Sequence, residues 1–144
     1  VRGVLERMGL RTSAGEIAAL RDTLLSALYN GGARLLLGSD SPQVVSVPGF
    51  SLALEMEGTV AAGVPPWTVL EAATRNPAEY FGRSDEFGTV EVGKRADLIL
   101  IEGDPIADVR NVHRQAGVML RGQWLPAEEI RRRLEEIAQR WRSE

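Results

Sequence analysis

Hydrophobic residues in the first third of the chain recur at helical spacing and then form one short continuous run. The helical positions are Ile17, Leu20, Leu24 and Leu28. Asn30-Gly31-Gly32 predicts the end of this helix, because glycine adopts the left-handed cap without strain. The apolar run Ala33-Arg34-Leu35-Leu36-Leu37 follows, and we interpret it as a strand buried on both faces, as in a parallel sheet. This region therefore predicts a helix, a tight turn and a buried strand.

The chain from residue 51 to about residue 86 predicts three further helices separated by glycine and proline. The first is marked by Leu52, Met56 and Val60. The second begins at Pro65-Pro66, because proline is tolerated in the first turn of a helix. The third begins at Asn76-Pro77, with Asn76 expected as its cap.

The pattern changes to short alternating or apolar runs after residue 87. The predicted strands are Thr89–Val92, Ala96–Ile101 and Gly117–Leu120. A helix is predicted from about Pro126, and Ile130, Leu134, Ile137 and Trp141 form its apolar side. We divide the chain into an α/β part at 1–86, a small β part at 87–125 and a C-terminal helix at 126–144.

Composition excludes several classes of protein. The 144 residues are 44% hydrophobic and 26% charged with a net charge of -3, as in one globular domain or the ends of two, without the basic surplus of a nucleic-acid-binding protein. The absence of cysteine excludes disulfides and thiolate metal sites. Without an apolar run of about 18 residues or a leader, we expect a cytoplasmic protein and no membrane partner. A first residue of valine is what part of a longer polypeptide would show.

Asp40 is the main candidate for chemistry. It lies two residues beyond the predicted buried strand, in Leu37-Gly38-Ser39-Asp40-Ser41-Pro42. Ligands and catalytic groups in α/β folds lie at the carboxyl ends of parallel strands, where a carboxylate can bind a cation or accept a proton from water. On local pattern alone, Asp40 is more often a residue that caps the following turn.

Several segments, in order, resemble the end of a metal-dependent amidohydrolase, with the imidazolonepropionase-like and prolidase-like members most similar. They are Gly38-Ser39-Asp40, Gly49-Phe50-Ser51, Val60–Pro65, Leu70–Ala78, Phe87–Leu98, Gly103-Asp104-Pro105 and Val118–Trp124. The resemblance implies an α/β fold. It comprises the C-terminal fragment of a TIM (β/α)₈ barrel (the last helix, strand 8 and the following helices), part of the small amidohydrolase β-sandwich domain and a C-terminal helix.

The resemblance also implies a role for Asp40. In that superfamily the aspartate after strand 8 binds a divalent metal, usually zinc, and exchanges a proton with the attacking water. A metal lowers the pKa of bound water towards about 7, so that a nearby carboxylate can accept its proton. The expected substrate is a small amide, linear or cyclic, or a dipeptide ending in proline.

The departures from the family pattern are equally informative. The only histidine is His113, in the β part, where a surface position is expected, and a metal site needs at least three protein ligands. Eight β/α units take about 250 residues, so strands 1 to 7 are expected to be missing. Ala53-Leu54 stand where relatives often have a His-Arg pair.

Two hypotheses follow. In the first, the chain is the C-terminal portion of an amidohydrolase, inactive and free of metal when alone, and it associates with a second copy or with a missing N-terminal segment. In the second, it is a non-catalytic structural or binding domain that retains this part of the fold.

Asp97 is expected to bond backbone groups at a strand start, and Glu55 and Glu57 to be solvated helix positions.

Overall fold

The computed structural model describes residues 14–43 and 46–142 and shows a mixed α/β chain in which helices precede a small sheet. The α-helices of the first part are α1 (Ala14–Asn30), α2 (Ser51–Ala61), α3 (Pro66–Ala73) and α4 (Arg75–Tyr80). The second part contains β1 (Leu98–Ile101), a 3-10 helix (Val109–His113), β2 (Gln115–Leu120), β3 (Gln123–Pro126) and α5 (Ala127–Arg142). None of the helices in the described ranges is long and apolar enough to cross a membrane.

All the predicted helices are confirmed, but the predicted cap of α4 is wrong. The residue that precedes α4 is Thr74, and its side chain makes no capping hydrogen bond. Asn76 lies inside the helix and is buried. Its amide Nδ2 donates to the carbonyl oxygen of Leu35 at 3.0 Å. The side chain is therefore used for a tertiary contact rather than for the end of its own helix.

The segment 33–37 was predicted to be a buried strand, and the structure assigns no strand there. A strand is defined by hydrogen bonds to a neighbouring strand, and no described part of the chain lies alongside as one. Contacts with helices hold the segment instead. The Asn76 amide bonds to Leu35, and the Leu37 N–H donates to the Ala72 carbonyl at 2.9 Å. Arg34 also forms an ion pair with Glu79 of α4. The segment thus lies across α3 and α4, with Leu36 exposed and its two leucine neighbours half-buried.

The sheet contains three antiparallel strands in the order β1-β2-β3. Leu98 lies opposite Met119, which in turn lies opposite Trp124. β1 and β2 agree with predicted strands, while β3 was not predicted. The predicted strand Thr89–Val92 is wrong, because this segment forms bends and turns without a pairing partner and its valines are exposed.

The hydrophobic core joins the two parts of the chain. Its buried members are Met56, Val64, Val69, Val109 and Val112. Met56 belongs to α2, Val64 to the turn that follows it and Val69 to α3. The other two valines belong to the 3-10 helix. The 3-10 helix therefore attaches the small sheet to the helical part by burying its valines against α2 and α3.

Candidate active site

Asp40 lies at the end of the segment that α3 and α4 hold in place. Its side chain is exposed and its backbone φ is 48°. This left-handed conformation is uncommon for residues other than glycine, but aspartate tolerates it. The Gln43 amide donates a hydrogen bond from Nε2 to Asp40 Oδ2. The other carboxylate oxygen, Oδ1, has no hydrogen-bond partner in the described residues, so it is available to a ligand or a water molecule.

Three serines connect the residues around Asp40 to the loop that follows. Ser39 Oγ lies 2.9 Å from Ser41 Oγ, and Ser41 Oγ is also hydrogen-bonded to Ser46 Oγ. The Ser46 hydroxyl donates to the Ser39 carbonyl at 2.8 Å, and a backbone bridge joins Gln43 to Ser46. The loop therefore folds back on itself, and these bonds hold both neighbours of Asp40.

The structure does not bring the other acidic and histidine residues to Asp40. Within residues 14–43 and 46–142, no three His, Asp or Glu side chains form a group able to hold a metal ion. Asp40 has the donor chemistry of a ligand for zinc or a harder cation, since its carboxylate keeps an oxygen without a partner. It fits such a site as one ligand, and the described residues supply no others beside it.

His113 is exposed, as predicted, but it has a partner that the sequence did not indicate. Its Nε2 lies 2.6 Å from Glu57 Oε1, and this contact joins the 3-10 helix to α2. Glu57 was expected to be a solvated helix residue, and it is half-buried and paired instead. The two residues are 56 positions apart, and no local pattern links them. Both therefore contribute to the joint between the two parts of the chain.

Asp97 has the structural role expected of it. Its Oδ1 accepts a hydrogen bond of 2.7 Å from the Arg121 backbone N–H, at the turn between β2 and β3. This bond, followed by hydrogen bonding to the Arg95 side chain, lowers the pKa of Asp97 below its ordinary value. Asp97 therefore ties the start of β1 to the neighbouring turn, and its oxygens are used for structure.

Comparisons with known proteins cover most of the chain. The sequence model described as "Amidohydrolase family" matches residues 9–125. The adenine deaminase of Rubrobacter xylanophilus is 40% identical over 79 residues, which are 54% of this chain and 13% of that protein. The imidazolonepropionase of Geobacillus sp. is 38% identical over 76 residues, which are 52% of this chain and 18% of that protein. A crystal structure of a Xaa-Pro dipeptidase with methionine bound in its active site matches with a TM-score of 0.66 and 26% identity, over 74% of this chain and 25% of that chain.

The aligned regions cover more than half of this chain but only a small part of each relative. The aligned region is less than a fifth of each of the two enzymes and a quarter of the dipeptidase chain. The family match runs from before α1 into β3, and it includes Asp40, the loop that follows it and the sheet. The chain belongs to the amidohydrolase family.

Proposed function

We propose that this chain contributes the aspartate of an amidohydrolase active site that cleaves the C–N bond of a small amide. The observation that supports this most directly is the position of Asp40. It follows a segment held between helices, its carboxylate is exposed, and one of its oxygens is without a partner in the described residues. The relatives named above act on adenine, an imidazolone or an Xaa-Pro dipeptide, as their names state, and all three are small substrates with a C–N bond.

The chemical role that we propose for Asp40 is proton transfer. Hydrolysis of an amide requires a base that takes a proton from the attacking water and an acid that gives a proton to the leaving nitrogen. A single carboxylate performs both if it lies within hydrogen-bond distance of each atom in turn. The Gln43 amide occupies Oδ2 and thereby orients the carboxylate, which leaves Oδ1 to accept the proton.

Asp40 would also be one ligand of a divalent metal such as zinc, with the remaining ligands supplied from outside the described residues. A bound metal of this kind makes water acidic enough to attack at neutral pH. Under this proposal, the segment from residue 33 to Asp40 is the last strand of a (β/α)₈ barrel, and its backbone pairs with neighbouring strands in the complete active site. The chain alone is then inactive.

The proposal implies that the surfaces now exposed are covered when the site is complete. Leu98, Ile99 and Leu100 of β1 are all exposed, although a strand that is apolar on both faces is normally buried on both. β1 is also an edge strand with unpaired backbone groups. We therefore expect association with a second copy or with the rest of the enzyme. Light scattering of the chain at micromolar concentration tests this, and a single monomeric species would contradict it.

The decisive experiment replaces Asp40 by asparagine in the natural gene product that contains this chain. Amine or ammonia release is measured with a panel of N-acyl amino acids, Xaa-Pro dipeptides and adenine. Asp40→Asn should lower kcat by about 10²- to 10⁴-fold, the range for loss of a general acid-base group. The urea midpoint should not change, because the side chain is exposed.

Asp85→Asn is the matched control, since Asp85 is an exposed carboxylate in the turn after α4. It should leave both activity and stability unchanged. Full activity in Asp40→Asn would refute the proposed role. A gene product without activity on the whole panel would favour the alternative, a structural or binding domain that has kept the amidohydrolase fold.

A further inference from the structure

The C-terminal helix α5 extends away from the sheet on which it begins. The helix contacts β2 and β3, and its half-buried residues, Ala127, Glu129 and Ile130, all lie in its first turn. Every residue from Arg131 to Arg142 is exposed. The helix also lies outside the region that the family shares, because the match ends at residue 125. The family match therefore gives no information on α5, and most of the helix is exposed to solvent.

The apolar side of α5 has the spacing of a coiled-coil seam. Ile130, Leu134, Ile137 and Trp141 are separated by four, three and four residues. This alternation places the four side chains in one narrow stripe along the helix. Leu134, Ile137 and Trp141 are 43%, 50% and 76% exposed, so exposure increases away from the sheet. A stripe of this kind is typical of a helix that docks against another helix or into a groove.

The positive and negative side chains of α5 occupy different positions around the apolar stripe. Arg131 lies next to it on one side, and Arg133 and Arg140 lie next to it on the other. The glutamates are farther round the helix: they are Glu128, Glu129, Glu135 and Glu136. Two of them pair with arginines of the same helix: Arg132 bonds to both Glu129 and Glu136. Glu129 also pairs with the bordering Arg133 at 2.7 Å, an exposed pair that an acidic partner would compete with. The apolar stripe is thus bordered by positive charge, and the negative charge faces away from it.

We propose that the stripe formed by Leu134, Ile137 and Trp141 is a docking site for an amphipathic protein helix whose apolar face is bordered by carboxylates. Such a partner buries the exposed side chains and places acidic groups opposite the bordering arginines, which selects it over neutral or basic helices. Charge at these positions sets partner choice in coiled coils.

A second copy of α5 is a poorer partner for the same reason. An antiparallel pair places Arg133 opposite Arg140, which is a like-charge contact. A parallel pair supplies no carboxylate to any of the bordering arginines. A membrane surface is also less suited than a helix, because the stripe is only one side chain wide and the glutamates nearly balance the arginines of α5.

The test uses the 144-residue chain and two synthetic peptides of three heptads. Both have leucine at the a and d positions; one has glutamate at e and g with lysine at b and c, and the other has these charges exchanged. Isothermal titration should show the acidic-bordered peptide binding at least tenfold more tightly than the basic-bordered peptide. Its affinity should also fall as sodium chloride is raised from 50 to 300 mM, because exposed charges are screened.

Two variants and one control locate the binding. Arg131→Glu combined with Arg133→Glu should reverse the preference between the peptides, and Leu134→Gln combined with Ile137→Gln should abolish binding. Glu135→Gln, on the far side of α5, should bind like the parent. Circular dichroism checks that each variant keeps its helix.

Three outcomes would overturn the proposal. One is equal affinity for both peptides, or no affinity for either, in the unmodified chain. Another is binding to vesicles of three parts phosphatidylcholine to one part phosphatidylglycerol without binding to the acidic-bordered peptide. The third is a dimer of the chain in light scattering that Leu134→Gln dissociates, because the stripe is then occupied by a second copy.

Discussion

Replacement of Asn76 by alanine tests whether tertiary contacts hold the segment that ends at Asp40. Asn76 is 8% exposed, and its Nδ2 donates to the Leu35 carbonyl at 3.0 Å. Its Oδ1 accepts a longer bond of 3.3 Å from Arg34. The alanine variant loses the donor to Leu35 and leaves that carbonyl without its side-chain partner.

These two hydrogen bonds set the expected loss of folding free energy in the alanine variant. An intramolecular hydrogen bond contributes about 1 kcal/mol net, and an acceptor left unsatisfied in a buried position costs about 1–3 kcal/mol. Leu35 is only half-buried, so water can reach its carbonyl in part and the lower end applies. We expect the free energy of unfolding to fall by about 2 kcal/mol. With a urea m-value of about 1.5 kcal/mol/M, the unfolding midpoint falls by roughly 1.3 M.

The assay is urea unfolding followed by circular dichroism, together with amide hydrogen exchange. The Leu37 N–H, which donates to the Ala72 carbonyl, should exchange faster in Asn76→Ala because the same segment is loosened. Asn76→Asp should destabilise the protein at least as much, since a carboxylate keeps the acceptor but has no donor for Leu35. Asn30→Ala is the control, because Asn30 is an exposed asparagine with one long side-chain contact.

One result would exclude this role of Asn76. If the midpoints of Asn76→Ala and Asn30→Ala agree within about 0.3 M, with unchanged exchange at Leu37, the amide does not hold the segment. The path of residues 33–40 would then depend on its other contacts, which include the Leu37–Ala72 backbone bond and the ion pair between Arg34 and Glu79.

Two further predictions concern the sheet and α5. A Cβ at Gly117 would lie 2.3 Å from the Trp124 ring, so Gly117→Ala should lower the stability by about 1–3 kcal/mol; Gly38→Ala, which meets no atom within 4 Å, is the control, and equal melting temperatures would contradict the clash. Hydrogen bonds from Arg132, and then from Arg133, lower the pKa of Glu129 from 4.5 to about 2. Because the folded pKa is the lower one, the stabilisation is complete above about pH 4.5 and is lost as the pH falls through about 2. Ellipticity at 222 nm should decrease over that range in the parent and less in Glu129→Gln, and identical acid transitions in both proteins would argue against these bonds.

Helix positions could be predicted because the information is local. The spacing of Leu52, Met56 and Val60 predicts α2, and Pro65-Pro66 predicts the start of α3. Two of the four predicted strands have counterparts in β1 and β2. The exposed side chain of Asp40 also agrees with its place in a Ser/Pro-rich loop.

The wrong predictions from the sequence have one cause in common. A strand or a polar contact depends on a partner elsewhere in the chain. Residues 33–37 and 89–92 have the composition of strands, yet neither pairs with another described strand, so neither is one here. Asn76 has the local pattern of a helix cap, but a carbonyl 41 residues earlier in the chain accepts its hydrogen bond. The sequence pattern contained no sign of that carbonyl.

The sequence by itself determined which segments are helical and where turns interrupt them. It also determined that the carboxylate of Asp40 follows closely after an apolar run. These features depend on neighbours within about one helical turn, and local spacing and backbone preference describe them. Only the tertiary structure decided that the 3-10 helix joins the sheet to α2 and α3, that Glu57 meets His113, and that α5 leaves its apolar stripe uncovered. Those contacts depend on how separate elements are oriented in space, which the order of residues within any one element does not specify.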